Sequence, residues 1–243
     1  MASDEIKVCG VAACRTLFDV RPGDIIRVYL TKKAKRSFSR LLAYCSEQRL
    51  AYHVVDDEEL ARVAATEHHE GICILARTWS PTLEELFQRV GEAPALVVAL
   101  DGVDNPHNLG AILRSAAHFG VVALVRAEAD GRTAPSAHRV AEGGAEIVPV
   151  VRVEDFVVGL KRLAAAGFEI VTTAADGERD LYRHRFARRT VLVLGAEREG
   201  VSPPVRRLAD VALKIGGTGA VESLNVSVAT AVLLAEHWRQ SEG

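Results

Sequence analysis

ALVVALDGVDNPHNLGAILRSAAHFG (95–120) is the stretch from which the rest of the chain can be laid out. ALVVAL is an unbroken apolar run, as expected of a strand buried on both faces. It leaves through Asp, Asn, Pro and Asn into an apolar helix expected from Leu109, with Asn108 placed as its N-cap and Gly110 in its first turn. Arg114 lies among Ala, Ile, Leu and Ser on that helix, so it must reach the surface or find a partner, and a ligand phosphate is one candidate.

Downstream the same alternation continues. VVALVRA, a helix near 136–142, IVPVV, a helix through 154–166, FEIVTTA, TVLVLGA, DVALKIG and a last helix from about Ser223 to Gln240 follow in order. Continuous Val/Ile/Leu strands alternating with helices predict an α/β fold, a mostly parallel sheet with helices on both faces. Upstream, IIRVYL (25–30), AYHVVD (51–56) and GICILAR (71–77) read as strands, while Phe38, Leu41, Leu42 and Cys45 mark one face of a helix. TWSPTLEELFQRVGEAP (78–94) carries a capping-box pattern from Thr82 to Glu85 and a Gly/Pro exit, as a connector with a small helix would. The expected organisation is a small α/β domain at 1–78, a linker at 79–93 and a larger α/β domain at 94–243.

Composition narrows the possible functions. The chain has 243 residues, 49% of them hydrophobic and 26% charged, with 8 prolines, enough apolar material for a core without disulfide or metal staples. No apolar run approaches the roughly 20 residues that span a bilayer, and MASDEIK is acidic where a secretory signal would be basic. A cytoplasmic protein without a membrane partner is expected. Cys9, Cys14, Cys45 and Cys73 include no C-x-x-C pair, so reduced, mostly buried thiols are expected. His68-His69 lacks the spacing of a metal site, and no metal is expected. Although the formal net charge is only −2, residues 1–50 carry ten Lys/Arg against five Asp/Glu, and residues 51–92 carry three against nine. The basic excess peaks in TKKAKRSFSR (31–40), either a solvated face or a phosphate contact.

Two further loops leave strands of the second domain, where α/β sheets bind ligands. TVLVLGAEREG (190–200) ends a buried strand at Gly195, where a missing side chain lets another molecule approach the backbone, and Glu197 follows. KIGGTGAVESLNVSVATAVLLAEHWRQ (214–240) joins a glycine-rich exit to Ser223 and Asn225, then to Leu224, Val228, Ala231, Ala235 and Trp238, a helix seam suited to a core or a dimer interface. Gly217-Thr218-Gly219 opens like a dinucleotide fingerprint, but Glu222 stands where the third glycine belongs. No P-loop string, G-x-S-x-G elbow or H-E-x-x-H occurs.

NPHNLGAILRSA, LGAEREG and GAVESLNVSVATAV, in this order and spacing, resemble the three motifs of the SpoU-type (TrmH) branch of the SPOUT RNA methyltransferases, a resemblance covering 95–240. The first 75 or so residues more loosely resemble the small RNA-binding α/β domain that precedes the catalytic domain in several members. The resemblance implies a SPOUT domain tied in a deep trefoil knot, an S-adenosylmethionine pocket in the knotted loops, and a homodimer in which two protomers build each site. Gly195, Ile215 and Leu224 then correspond to residues contacting the cofactor through backbone. Asn108, Arg114, Glu197, Ser223 and Asn225 correspond to the catalytic or substrate-binding set. Arg15, Lys32, Lys33, Lys35 and Arg36 are the candidate RNA contacts.

The implied activity is methylation of a ribose 2′-hydroxyl in structured RNA, with rRNA favoured over tRNA. Because a guanidinium stays protonated in proteins, Arg114 fits phosphate binding and stabilisation of alkoxide charge, with Asn108 and Ser223 orienting the hydroxyl. Ile215-Gly216-Gly217 departs from the Ile-Pro pattern of many relatives, exchanging a rigid proline for a flexible glycine. Glu70 likewise stands where relatives often have Gln. The alternative is an RNA-binding or ribosome-associated protein that keeps the fold with weak or no methyl transfer. A small-molecule nucleotide-binding enzyme rests on the glycine-rich loop alone.

Overall fold

The computed structural model describes residues 5–130, 133–174 and 176–242. The first sheet contains β1 (Glu5–Cys9), β2 (Ile25–Thr31), β3 (Ala51–Val55) and β4 (Ile72–Arg77) in the order β1-β4-β2-β3. β4 runs antiparallel to both of its neighbours, and β2 pairs with β3 in parallel. Helices α1 (Val11–Val20) and α2 (Ser39–Glu47) cover one face, where Phe38, Leu41 and Cys45 join Val8, Leu17, Val28, Leu30 and Ile74 in a core. The apolar spacing read over 38–45 is thus a buried face, although Phe38 itself ends a 3-10 turn ahead of α2. β1 and α1 have no counterpart in the sequence reading: EIKVC is short, and the helix after Gly10 has no side-chain cap. Helix α3 (Asp57–Ala64) starts at Asp56, whose side chain accepts from the Glu59 amide, and packs Leu60 and Ala64 against Cys73 on the opposite face. All four cysteines are free thiols; Cys14, Cys45 and Cys73 are buried, and Cys9 lies across the strand pair from Cys73.

Between the sheets, helix α4 (Leu83–Val90) forms the expected capping box, with the Glu85 amide donating to Thr82 Oγ1 and the Thr82 amide to Glu85 Oε2. Its Leu83 and Leu86 pack into the core of the second sheet.

That sheet contains β5 (Ala95–Asp101), β6 (Ala123–Ala127), β7 (Val150–Val153), β8 (Glu169–Thr173), β9 (Arg179–Asp180), β10 (Arg189–Gly195) and β11 (Val211–Lys214), all paired in parallel, in the order β7-β6-β5-β10-β8-β11-β9. Helices α5 (Pro106–His118), α6 (Pro135–Ala141), α7 (Gly144–Ile147), α8 (Phe156–Ala165), α9 (Pro203–Arg206) and α10 (Val226–Glu242) surround it. α5 and α10 bury Ile112, Leu113, Leu233 and Leu234 on one face with Val98, Leu100, Leu192 and Leu194; α8 buries Leu160 and Leu163 on the other with Val97, Val191 and Val193. Each such side chain taken out of water contributes about 1.5–3 kcal/mol, which is why strands this apolar need cover on both faces.

The centre of the sheet fixes the site. After β5 the chain turns toward β6, and after β10 it turns the other way, toward β11, so their carboxyl ends form a crevice where strand order reverses. No helix among the described residues is long and apolar enough to cross a membrane.

Candidate functional site

Two motif loops leave this crevice side by side, because Gly195 at the end of β10 lies in register with Asp101 at the end of β5. Asp101 fastens both: its carbonyl accepts from the Ala196 amide at 3.0 Å, and its Oδ2 accepts from the Ser202 amide at 2.7 Å. The Gly200 amide closes the turn onto Ala196 O at 2.8 Å. A Cβ on Gly195 would lie 2.0 Å from the Gly200 carbonyl carbon. The sequence reading gave that space to another molecule; the structure fills it with the protein's own loop.

Helix α5 starts three residues earlier than expected. Asn105 is the cap, its Oδ1 accepting from the His107 amide at 2.9 Å, and Pro106 occupies the first helical position. Asn108 is therefore not a cap, and at 8% exposure its amide is released for other work. Its Nδ2 donates to Glu197 Oε1 at 2.9 Å, while its Oδ1 accepts from Asn225 Nδ2 at 3.0 Å. Asn225 Nδ2 also donates to Glu197 Oε1 at 2.7 Å. The three motif residues thus close a ring of hydrogen bonds in which one carboxylate oxygen takes two amide donors and the other takes no protein donor among the described residues.

Asn225 does a second job. Its Oδ1 accepts from the Ser227 amide at 2.9 Å and the Ser227 hydroxyl at 2.6 Å, so α10 begins at Val226 and Ser223 lies ahead of it rather than at its start. Ser223 is exposed and has no hydrogen-bond partner among the described residues. Ile215 packs partly against the core, and Leu224 is 44% exposed. From Gly216 to Leu224 only the Ala220 amide donates to a protein acceptor among the described residues, reaching Thr218 Oγ1 at 3.3 Å.

Arg114 both reaches the surface and finds a partner: it is 60% exposed, with Nη2 3.1 Å from Glu142 Oε2. It does not join the ring formed by Asn108, Glu197 and Asn225. Beyond Leu224, the seam on α10 is open, with Val228 at 50% and Trp238 at 44% exposure and Ala235 also exposed. Lys32, Lys33, Lys35 and Arg36 are exposed beside the turn that follows β2 and carry no ion pair among the described residues. Arg15, on α1, lies with its guanidinium carbon 5.7 Å from the Phe38 ring centre.

Sequence reasoning missed Asp101, although an acidic residue ending a buried strand was a readable signal. It missed Glu142 for a better reason. Nothing local links that residue to Arg114, 28 positions before it. His69, set aside as a ligand, is buried and accepts from the Gly71 amide at 3.1 Å.

The SpoU rRNA Methylase family model matches residues 95–235, and the RNA 2′-O ribose methyltransferase substrate binding model matches residues 7–80. The chain is 40% identical over 240 residues to the uncharacterized tRNA/rRNA methyltransferase YfiF of Escherichia coli O157:H7, spanning 99% of this chain and 70% of that protein. It is 33% identical to the 23S rRNA (guanosine-2′-O-)-methyltransferase RlmB of Pseudomonas putida, over 97% of each chain. In fold it is similar to the SpoU methyltransferase AviRb of Streptomyces viridochromogenes, solved in complex with AdoMet, with a TM-score of 0.84, 23% identity, and coverage of 99% of this chain and 92% of that one.

Proposed function

The chain belongs to the SpoU rRNA methylase family, and on that premise we propose that it methylates a ribose 2′-hydroxyl of structured RNA with S-adenosylmethionine as methyl donor, rRNA ahead of tRNA. The observation that carries the reading is the hydrogen-bonded ring of Asn108, Glu197 and Asn225 at the carboxyl ends of β5 and β10.

The segment beside that ring fits the cofactor. Its main-chain amides from Gly216 to Leu224 are exposed and almost all unpaired, and half-buried Ile215 precedes them, a donor set suited to a ligand with a carboxylate, hydroxyls and an adenine ring. Ile215 and Leu224 would hold it, largely through backbone, with Gly195 offering its main chain and not the space at its Cα, which the Gly200 turn fills. When bound, S-adenosylmethionine supplies a sulfonium methyl and the leaving group.

The residues of the chain position and stabilise. Asn108 and Asn225 grip one oxygen of Glu197 and leave the other to accept from a ribose hydroxyl, so the carboxylate is oriented before RNA arrives. Ser223, free at the edge of the crevice, helps align the hydroxyl. Arg114 would hold the phosphate next to the reacting ribose and offset negative charge on its 2′-oxygen. Releasing Arg114 from Glu142 costs little, since an exposed ion pair of this kind contributes about 0–1 kcal/mol.

The reading extends to assembly. Leu224, Val228, Ala235 and Trp238, with half-buried Ala231 among them, form an apolar stripe at the crevice and along α10, which supports a homodimer packed through the C-terminal domain; the deep trefoil knot is what the family resemblance implies for that domain. Residues 1–78 dock the RNA through Arg15, Lys32, Lys33, Lys35 and Arg36, residues 79–93 connect, and residues 94–243 carry the chemistry, in the cytoplasm.

Calorimetric titration with S-adenosylmethionine, repeated on Asn225→Ala and followed by tritium transfer to bulk RNA, tests this. One site per protomer, weakened in the variant, with label in RNA is the expected result. No binding at millimolar cofactor would replace the enzyme by an RNA-binding protein.

A further inference from the structure

The two sheets are joined through a buried charge that methyl transfer does not use. Glu146 of α7 is 1% exposed, and its two oxygens are taken separately: Oε2 by Arg21 Nη2 and Oε1 by His138 Nδ1, at 3.1 Å. Arg21 follows α1 and also donates to Asp24 Oδ2 and to Arg77 O, each at 3.0 Å. One guanidinium therefore gathers the end of α1 and the end of β4 and binds them to α7. Burial pushes the Glu146 carboxyl up, but the His138 hydrogen bond and the Arg21 charge outweigh it and hold the group below the usual carboxylate range.

The turn between α6 and α7 carries this contact to the reaction site. Glu142 and Gly143 are both left-handed, at φ 44° and 93°. A Cβ on Gly143 would lie 2.3 Å from Thr16 Oγ1, so α1 rests directly on the turn from one side. A Cβ on Gly144 would lie 2.6 Å from Leu113 O and 2.9 Å from Arg114 Cα, so α5 rests on it from the other. Between them Glu142 reaches out to the Arg114 guanidinium. Three consecutive residues thus touch the N-terminal sheet's helix and the backbone and side chain of Arg114.

We infer that Arg21, Glu146 and His138 form a latch between the RNA-docking and catalytic domains, and that through the packing of Gly143 and Gly144 between α1 and α5 this latch positions the α5 backbone from which Arg114 projects. The inference rests on the role proposed above for Arg114. With side chains only 10%, 1% and 12% exposed, Arg21, Glu146 and His138 act as positioning residues. With the latch closed, RNA held at the exposed Lys32–Arg36 turn sits at a fixed offset from Arg114, so the domain contact selects which ribose along the RNA is reached.

Glu146→Gln in the full chain tests this, because it keeps the shape and removes the charge, with Arg21→Lys as the milder variant should the first fail to fold. Hydrogen exchange of the wild type and variants reads the latch without any chemistry. In Glu146→Gln the segments 11–20 and 135–147 should exchange about tenfold faster, with β5 and β10 unchanged. RNA methylation reads the positioning: kcat should fall about 10- to 10²-fold while cofactor affinity and RNA KM stay within about threefold. Arg21→Lys should lie between the wild type and Glu146→Gln in both readouts. Unchanged exchange in a folded variant overturns the latch. Faster exchange with unchanged kcat overturns the positioning of Arg114. A wild type that binds cofactor and labels no RNA sinks the methylation reading and the positioning with it, while the exchange result still decides the latch.

Discussion

The crevice is bordered by two kinds of chain. On one side Asn108, Glu197 and Asn225 sit at the ends of elements the core already fixes, and each is held by at least two hydrogen bonds or by a turn fastened to Asp101. On the other, residues 216–224 are exposed and make almost no hydrogen bonds of their own, although the segment ends at that same Asn225. Groups that must face a developing charge gain from being fixed beforehand, since no reorganisation is then needed at the moment of reaction. If residues 216–224 take up the cofactor as proposed, binding carries the cost of ordering them, roughly 1–2 kcal/mol per residue.

The sharpest way to break this contrast is Glu197→Ala. It removes the acceptor on which two amides converge, and tritium transfer should drop about 10²- to 10³-fold while the fold, read by circular dichroism, stays intact. Activity near wild type would make the ring a structural knot of hydrogen bonds and nothing more. Next in size is Val228→Glu on the open seam of α10: if a second copy covers this stripe, sedimentation equilibrium should show self-association weakened by roughly 2 kcal/mol or more. A protein equally dimeric with that charge would place the interface elsewhere.

Gly195→Ala probes the fixed side through packing. With a Cβ 2.0 Å from the Gly200 carbonyl carbon, the turn must open, and urea unfolding should show a loss of about 1–3 kcal/mol. The smallest effect belongs to the loose side. A Cβ on Gly217 meets nothing within 4 Å, so Gly217→Ala should leave stability within about 0.5 kcal/mol. By narrowing the conformations of the free segment it should also tighten cofactor binding severalfold, up to about 1 kcal/mol. Calorimetry showing weaker binding would mean that the segment needs glycine's freedom in its closed form.

Local chemistry wrote much of this molecule into its sequence. The apolar runs that became β5 and β10, the capping box at Thr82 and Glu85, and the apolar spacing of Phe38, Leu41 and Cys45 depend on neighbours within a turn or two, and they are where the periodicity put them. Even the misplaced cap was recoverable. Pro106 favours the first helical position, which makes Asn105 the cap and frees Asn108.

Other features had no local signal at all. Asn108 and Glu197 are 89 positions apart, Asn108 and Asn225 117, and Arg21 and Glu146 125, and none of these pairings follows from composition or spacing. The first two exist because parallel strands must be crossed by helices before they can pair, which brings the ends of distant strands to one edge of the sheet, and the third because the two sheets pack through α1 and α7. The sequence by itself determined which long apolar segments are strands, though not the short β1 and β9, and which polar residues stand out against them. Only the tertiary structure decided which of those polar residues meet, and that Arg114 faces Glu142 while Asn108, Glu197 and Asn225 face each other, because hydrogen bonds and ion pairs between distant segments are set by strand order and packing.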